Sequence, residues 1–254
     1  KHSSSACASR STAAAGGGAL VVPAAGPLQP LRQLPGGMQL TLLSPTQAQL
    51  DRLQPRWHAA CRKAGTVPGA ATAADARQLE EDEEPAEDDD LLGDPDVARL
   101  AAMPFKPDRA IPNGSSLALL AEYQGRRALL TGDAYAPVLV DALARLPGNA
   151  AGRLQLDAVK LSHHGSRGNT SADLVRAVDC RNWLVSTNGK IFHHPDGEAI
   201  ARVLRDGGAG VQLHFNYRSE CNEMWAALGL QRKHDYTARY PANEGEGVCL
   251  DLDG

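Results

Sequence analysis

Two apolar runs of this chain end on residues able to do chemistry. "RRALLTGD" (Arg126–Asp133) closes on an aspartate, and "LQLDAVKLSHH" (Leu154–His164) closes on two adjacent histidines. Asn188 follows the run "LVST", and a second pair, His193 and His194, comes shortly after it. The two adjacent pairs take half of the chain's 8 histidines. An Asp and several His that converge on one edge form an oxygen and nitrogen set suited to a divalent metal or to proton transfer. Each piece also has a plainer reading. T-G-D serves as a turn or helix cap, and an adjacent His pair places one ring in the core and one in water. Their order and shared placement after apolar runs are what single them out.

The elements that must position these residues alternate. "SLALLAEY" and "RRALLTGD" read as two strands joined by a tight turn at Gln124-Gly125. A helix over "APVLVDALARL", the strand ending at His164, a helix over "SADLVRAV" capped by Ser171, and the strand "NWLVST" follow. The helix "DGEAIARVLRDGG", the strand "VQLHF", a helix over "SECNEMWAAL" and a last strand, "GVCLDL", complete the series. Upstream, "ALVVP" and "MQLTLLSP" read as strands, and Ser44 or Thr46 caps a helix carrying Leu50, Leu53 and Trp57, interrupted by Pro55 and ended by Gly65. Such alternation predicts a layered α/β fold, whose strand ends share one edge where sites collect.

Composition bounds the rest. At 43% hydrophobic residues, the 254-residue chain has ample material for a core, and no apolar stretch reaches the ~18 residues of a membrane span. Plentiful Ala, Gly, Leu and Arg match a GC-rich bacterial genome. The five cysteines are scattered without a C-x-x-C pair, which excludes a disulfide framework or cysteine zinc site and sets a reduced, cytoplasmic expectation. Residues 1–17 are small and polar and are expected to be disordered. Between Glu80 and Asp96 stand eleven acidic residues and no basic one, and without them the formal charge changes from −4 to +7. An acidic, disordered insertion at about 71–98 is therefore expected, within a single domain over 18–254. The basic remainder suits an anionic partner.

Four segments resemble the metallo-β-lactamase-fold hydrolases, in the branch containing the hydrolase domain of the DNA-uptake protein ComEC. They are "SSLALLAEYQGRRALLTGDA", "LDAVKLSHHGSRGNTSADLVRAV", "WLVST" and "HHPDGEAIARVL", in the family's order over about residues 113–205. "GGMQLTLLSPT" and the Trp57 helix are also similar. The resemblance implies a four-layer αββα sandwich with a Zn²⁺ or Mn²⁺ site along one sheet edge. It implies that Asp133 is the carboxylate that can bridge two metals, that His164, with His163 as the second choice, holds a metal or catalytic position, and that His194 is a further ligand. Lys160 would join Asp133 and His164 in catalysis, with Asn113, Ser166 and His163 holding a substrate phosphate. A metal-bound hydroxide would then attack a phosphorus or carbonyl centre. The implied activity is a phosphodiesterase or nuclease acting on nucleic acid, without a membrane.

One part of the family pattern is missing. The H-x-H-x-D-H motif that supplies most metal ligands is absent, and neither His2 nor His58 replaces it. The chain is therefore expected to be incomplete at its N-terminus, roughly the C-terminal two-thirds of the fold. The alternatives are a degenerate, non-catalytic interaction module of the same fold, or a hydrolase of a small ester, lactone or thioester.

Overall fold

Alternating apolar and polar residues around the Gln124-Gly125 turn give a β-hairpin. β3 (Ala118–Tyr123) and β4 (Arg126–Leu130) pair antiparallel, with Tyr123 opposite Arg126. Gln124 and Gly125 take φ of 48° and 79°, the left-handed pair a tight hairpin requires. The computed structural model describes residues 20–65, 94–147, 149, 152–243 and 247–252. The start expected to be disordered lies outside them, as does most of the acidic insertion.

The hairpin sits within an eight-stranded sheet. β1 (Arg32–Gln33) and β2 (Gln39–Ser44) extend it antiparallel on the β3 side. On the β4 side, β6 (Ala158–Lys160), β8 (Asn182–Val185), β9 (Val211–Phe215) and β10 (Tyr236–Arg239) run parallel to it in that order. β5 (Leu154–Gln155) and β7 (Val178–Asp179) form a separate two-stranded sheet. The described fold is thus mixed α/β around one large sheet. Since β4, β6, β8 and β9 are parallel, the segments following Leu130, Lys160, Val185 and Phe215 emerge at one edge.

One sheet face is fully covered. Leu120, Leu129, Val159, Trp183, Leu213 and Phe215 project from successive strands into a single core. α4 (Ala136–Ala144) packs on β2, and α5 (Ala172–Arg176) packs on both α4 and α6 (Gly197–Asp206). Ser171 caps α5 as its sequence predicts, its hydroxyl accepting from Leu174 N at 3.1 Å. Within α6, Ile200 and Val203 are completely buried, and each contributes about 1.5–3 kcal/mol by leaving water. That anchoring fixes the histidine segment immediately before the helix.

Several sequence expectations change. Helix α1 (Gln47–Ala64) runs through Pro55 without a break and ends at Gly65, φ 67°. Proline there removes the hydrogen bond to the Asp51 carbonyl, and because Asp51 is exposed, water can take that place. Residues at the end of the expected acidic insertion are ordered instead: Asp96 caps α2 (Val97–Ala102), accepting from Arg99 N at 3.0 Å. Val97, Leu100 and Ala101 are buried against α6, so an apolar face at the tail of an acidic run decides order there. The expected strand over 247–252 is irregular, and Tyr236–Arg239 takes the edge beside β9. "ALVVP" contributes a lone bridge, Val22 to Thr46, and the short α3 (Ile111–Gly114) packs on α1. The helix expected from Ser219 breaks into α7 (Glu220–Glu223), a 3₁₀ turn and α8 (Leu228–His234).

Candidate active site at the strand edge

Three turns build the site from the parallel strand ends. After β4, Gly132 (φ 53°) brings the chain so close to its neighbour that an added Cβ would lie 2.5 Å from the Leu117 carbonyl oxygen. The following Asp133 N–H donates to Ser116 Oγ at 3.0 Å. After β6, the chain makes a tight turn, Ser162–Gly165, and His163 and His164 both adopt left-handed backbone, φ 45° and 57°. His163 N–H donates to Gly132 O at 2.9 Å, which ties the histidine turn to the aspartate turn. After β8, the chain passes Ser186, Thr187 and Asn188 before reaching His193 (φ 54°) and His194. Gly165 carries no side chain because a Cβ would sit 2.8 Å from that of Pro195. Three consecutive or neighbouring histidines in a region that L-residues avoid mark a site held in place by its surroundings.

These turns enclose a cavity of about 380 Å³, whose lining includes Asn113, Asp133, His163, His164, His194 and Asn216. The volume is that of a small-ligand site. Of the residues singled out in the sequence, Asn113, Asp133, His163, His164, Asn188 and His194 line it together. His193 does not; it is exposed while His194 is buried. Ser166 is spent locally, its hydroxyl accepting from Gly168 N at 3.2 Å. Lys160, at the end of β6, is outside the lining.

The electrostatics follow from burial. Desolvation pushes the Lys160 ammonium below its ordinary value, and the Asp133 carboxylate opposes that shift. His164 is likewise lowered, first by burial and then by the Lys160 charge, while its bond to the Ser186 carbonyl and the Asp133 carboxylate oppose the change. A carbonyl only accepts, so His164 Nδ1 carries the proton in that bond. His194 differs: both its ring nitrogens are buried without a hydrogen-bond partner. Its Nδ1 lies 3.4 Å from Asp196 Oδ1, poorly directed for a bond. Burial would raise the Asp196 carboxyl, but His194 and the Arg167 backbone N–H, 2.6 Å from Oδ2, outweigh it and hold the group below its usual range.

Sequence reading missed a set of residues behind His163. Asp108, whose side chain is 8% exposed, and Asn169, fully buried, face His163 Nδ1 at 4.0 and 3.3 Å. Asp108 lies in an irregular loop with no periodicity to mark it. Phe192 and Tyr217, at the cavity wall, also went unmarked.

Two observations test whether these residues would hold a divalent ion. The unpartnered nitrogens of His194 are what a ligand position leaves behind. Among the described residues, however, no three His, Cys, Asp or Glu side chains are grouped so as to hold one ion. Catalytic zinc takes three protein ligands and a water, so the described residues do not fit a complete metal centre.

Over 138 residues, 51% of its length, the chain is 27% identical to ComE operon protein 3 of Bacillus subtilis (strain 168). It covers 17% of that protein. No protein-family model matches the chain. No solved structure matches it either.

Proposed function

We propose that the cavity is the site of a hydrolase acting on a phosphodiester, with a nucleic-acid strand as the favoured substrate. The observation that carries this reading is the convergence of Asp133, His163, His164 and His194 on one cavity at the ends of parallel strands. The similarity to ComE operon protein 3 supports it, together with the sequence resemblance, which implies an activity on nucleic acid. The Zn²⁺ or Mn²⁺ dependence of that branch would require ligands beyond those described, so no chemical step is assigned to a metal here. The chain's own contribution is to bind and orient: Asn216 offers its amide group to an anion, and the histidines offer ring nitrogens.

The same reading makes the large sheet one inner layer of an αββα sandwich. Its second face supports this: Leu130 is 46% exposed and the neighbouring Leu117 58%, an apolar surface suited to a further layer.

The test is cleavage of bis(p-nitrophenyl) phosphate and a single-stranded oligonucleotide, with Mn²⁺ or Zn²⁺ added, by this chain and by any longer natural form. Asp133→Ala should abolish cleavage, and p-nitrophenyl acetate should be the poorer substrate. Cleavage that survives Asp133→Ala would overturn the assignment. A second reading, a binding module that does no chemistry, is favoured by the missing three-ligand group among the described residues. Strand binding without turnover by every form would establish it.

A further inference from the structure

His163 has two ring nitrogens, and what faces the first decides what the second can do. Three groups surround Nδ1: Asn169 Oδ1 at 3.3 Å, Asn113 Nδ2 at 3.4 Å and Asp108 Oδ2 at 4.0 Å. Two of these accept and one donates, so their relative hold must be settled. Asp108 settles it. Its Oδ2 receives the Asn113 amide at 3.1 Å and the Asn169 amide at 3.0 Å, while Oδ1 takes Ala110 N–H at 2.7 Å. A carboxylate only accepts, so both amides must turn their NH₂ groups toward it. Asn169 is pinned again by donating to the Asp133 carbonyl at 3.0 Å, which leaves its Oδ1 facing His163. The Asn113 NH₂ makes its shorter contact to Asp108 and its longer one to Nδ1. Nδ1 therefore meets an acceptor at its nearest contact, and a carboxylate stands behind it.

We propose that Asp108 is a positioning residue: by turning Asn169 it locks His163 in the Nδ1–H tautomer, leaving Nε2 without a proton. The neighbouring His164 is fixed in the same tautomer by a different acceptor, the Ser186 carbonyl. Both histidines of the turn then carry their proton on the same nitrogen. A neutral imidazole's tautomer is set by the hydrogen bond its other nitrogen makes. This inference deepens the hydrolase reading of the same cavity, yet its first test does not depend on any substrate.

The test is two-bond ¹H–¹⁵N correlation spectroscopy on the full chain with ¹⁵N-labelled histidine, at mildly alkaline pH. The wild type should give His163 a protonated Nδ1 and a bare Nε2; a protonated Nε2 overturns the proposal before any variant is made. Asp108→Ala removes the acceptor that both amides face, so Asn169 loses the carboxylate that turns it. His163 should then shift wholly or partly to the Nε2–H form, while His164 keeps its tautomer as an internal control. An unchanged His163 in folded Asp108→Ala also overturns the proposal. Should that variant not fold, Asn169→Ala takes its place: it removes the acceptor facing Nδ1, and a His163 that stays Nδ1–H overturns the proposal. On a cleaved phosphodiester, Asp108→Ala should lower kcat by about 10–100-fold, the range for outer partners of functional histidines, with KM little changed. If the tautomer holds but nothing is cleaved, the hydrolase reading falls and the positioning role stands.

Discussion

His163 and His194 stand edge to face, their ring centroids 5.1 Å apart and their planes inclined at 75°. The first ring is held from behind by a network of carboxylate and amides. The second is wrapped in protein yet has neither nitrogen hydrogen-bonded. Its Nδ1 nevertheless faces the buried Asp196 carboxylate at 3.4 Å, so His194→Phe should cost about 1–3 kcal/mol in urea unfolding through the carboxylate it leaves behind, and should abolish phosphodiester cleavage. Cleavage that survives the change would mean that the ring serves packing and not the cavity.

Helix α2 should matter more than its position behind an acidic run suggests. Leu100 is 5% exposed and lies against α6 beside Gly197, the helix that anchors the His194 segment. Leu100→Ala should cost about 2–4 kcal/mol in urea unfolding, as other buried leucines do. A cost under about 0.5 kcal/mol, the surface value, would show that α2 is not part of the folded body.

The pH dependence of stability should carry the mark of His214. Burial, and next the Arg239 guanidinium on the adjacent strand, hold its pKa below the ordinary histidine value. Asn182 Oδ1 on the other neighbouring strand meets Nε2 at 3.1 Å, while Nδ1 has no hydrogen-bond partner. Because the unfolded chain takes up the proton first, His214 costs nothing above about pH 6.5 and removes stability as the pH falls below it. Melting temperature followed from pH 7.5 to 5 should therefore decline less steeply for His214→Gln than for the wild type. Parallel declines would mean that the ring is not held neutral.

The proposed substrate makes a further demand on α1. Arg52 and Arg56 are exposed one helical turn apart, about 6 Å along the axis. Both lie within electrostatic reach of Tyr135, whose hydroxyl donates to the carbonyl of Ala110 in the cavity wall. Arg52→Glu with Arg56→Glu should weaken binding of a labelled single-stranded oligonucleotide at least tenfold at low salt. The log–log salt slope should fall by about two, one for each phosphate that the arginines no longer neutralise. Unchanged affinity would place the strand on another surface.

What the sequence made legible follows from the reach of each signal. The hairpin turn at Gln124-Gly125, the Ser171 cap and the strands leading to Asp133 and His164 are written in local patterns of period and turn chemistry. These bring six of the singled-out residues to one cavity. Asp108 and Asn169 were illegible because they are 61 positions apart and act through hydrogen bonds that no local pattern encodes. The end of the acidic run misled because charge density was weighed over a window that hid Val97 and Leu100. Pro55 misled because its cost depends on whether water reaches one carbonyl, a fact of three dimensions.

The left-handed backbone of His163 and His164 has a consequence for anyone who evolves this protein in the laboratory. A side chain in that region is strained by about 1–2 kcal/mol, and glycine relieves it. Selection for thermal tolerance or expression yield alone therefore weighs that strain against the bonds the two rings make to Asn169 and the Ser186 carbonyl. Where glycine takes over either position in a stability-selected lineage, the strain was the larger of the two, and the side chain there was kept for something other than folding.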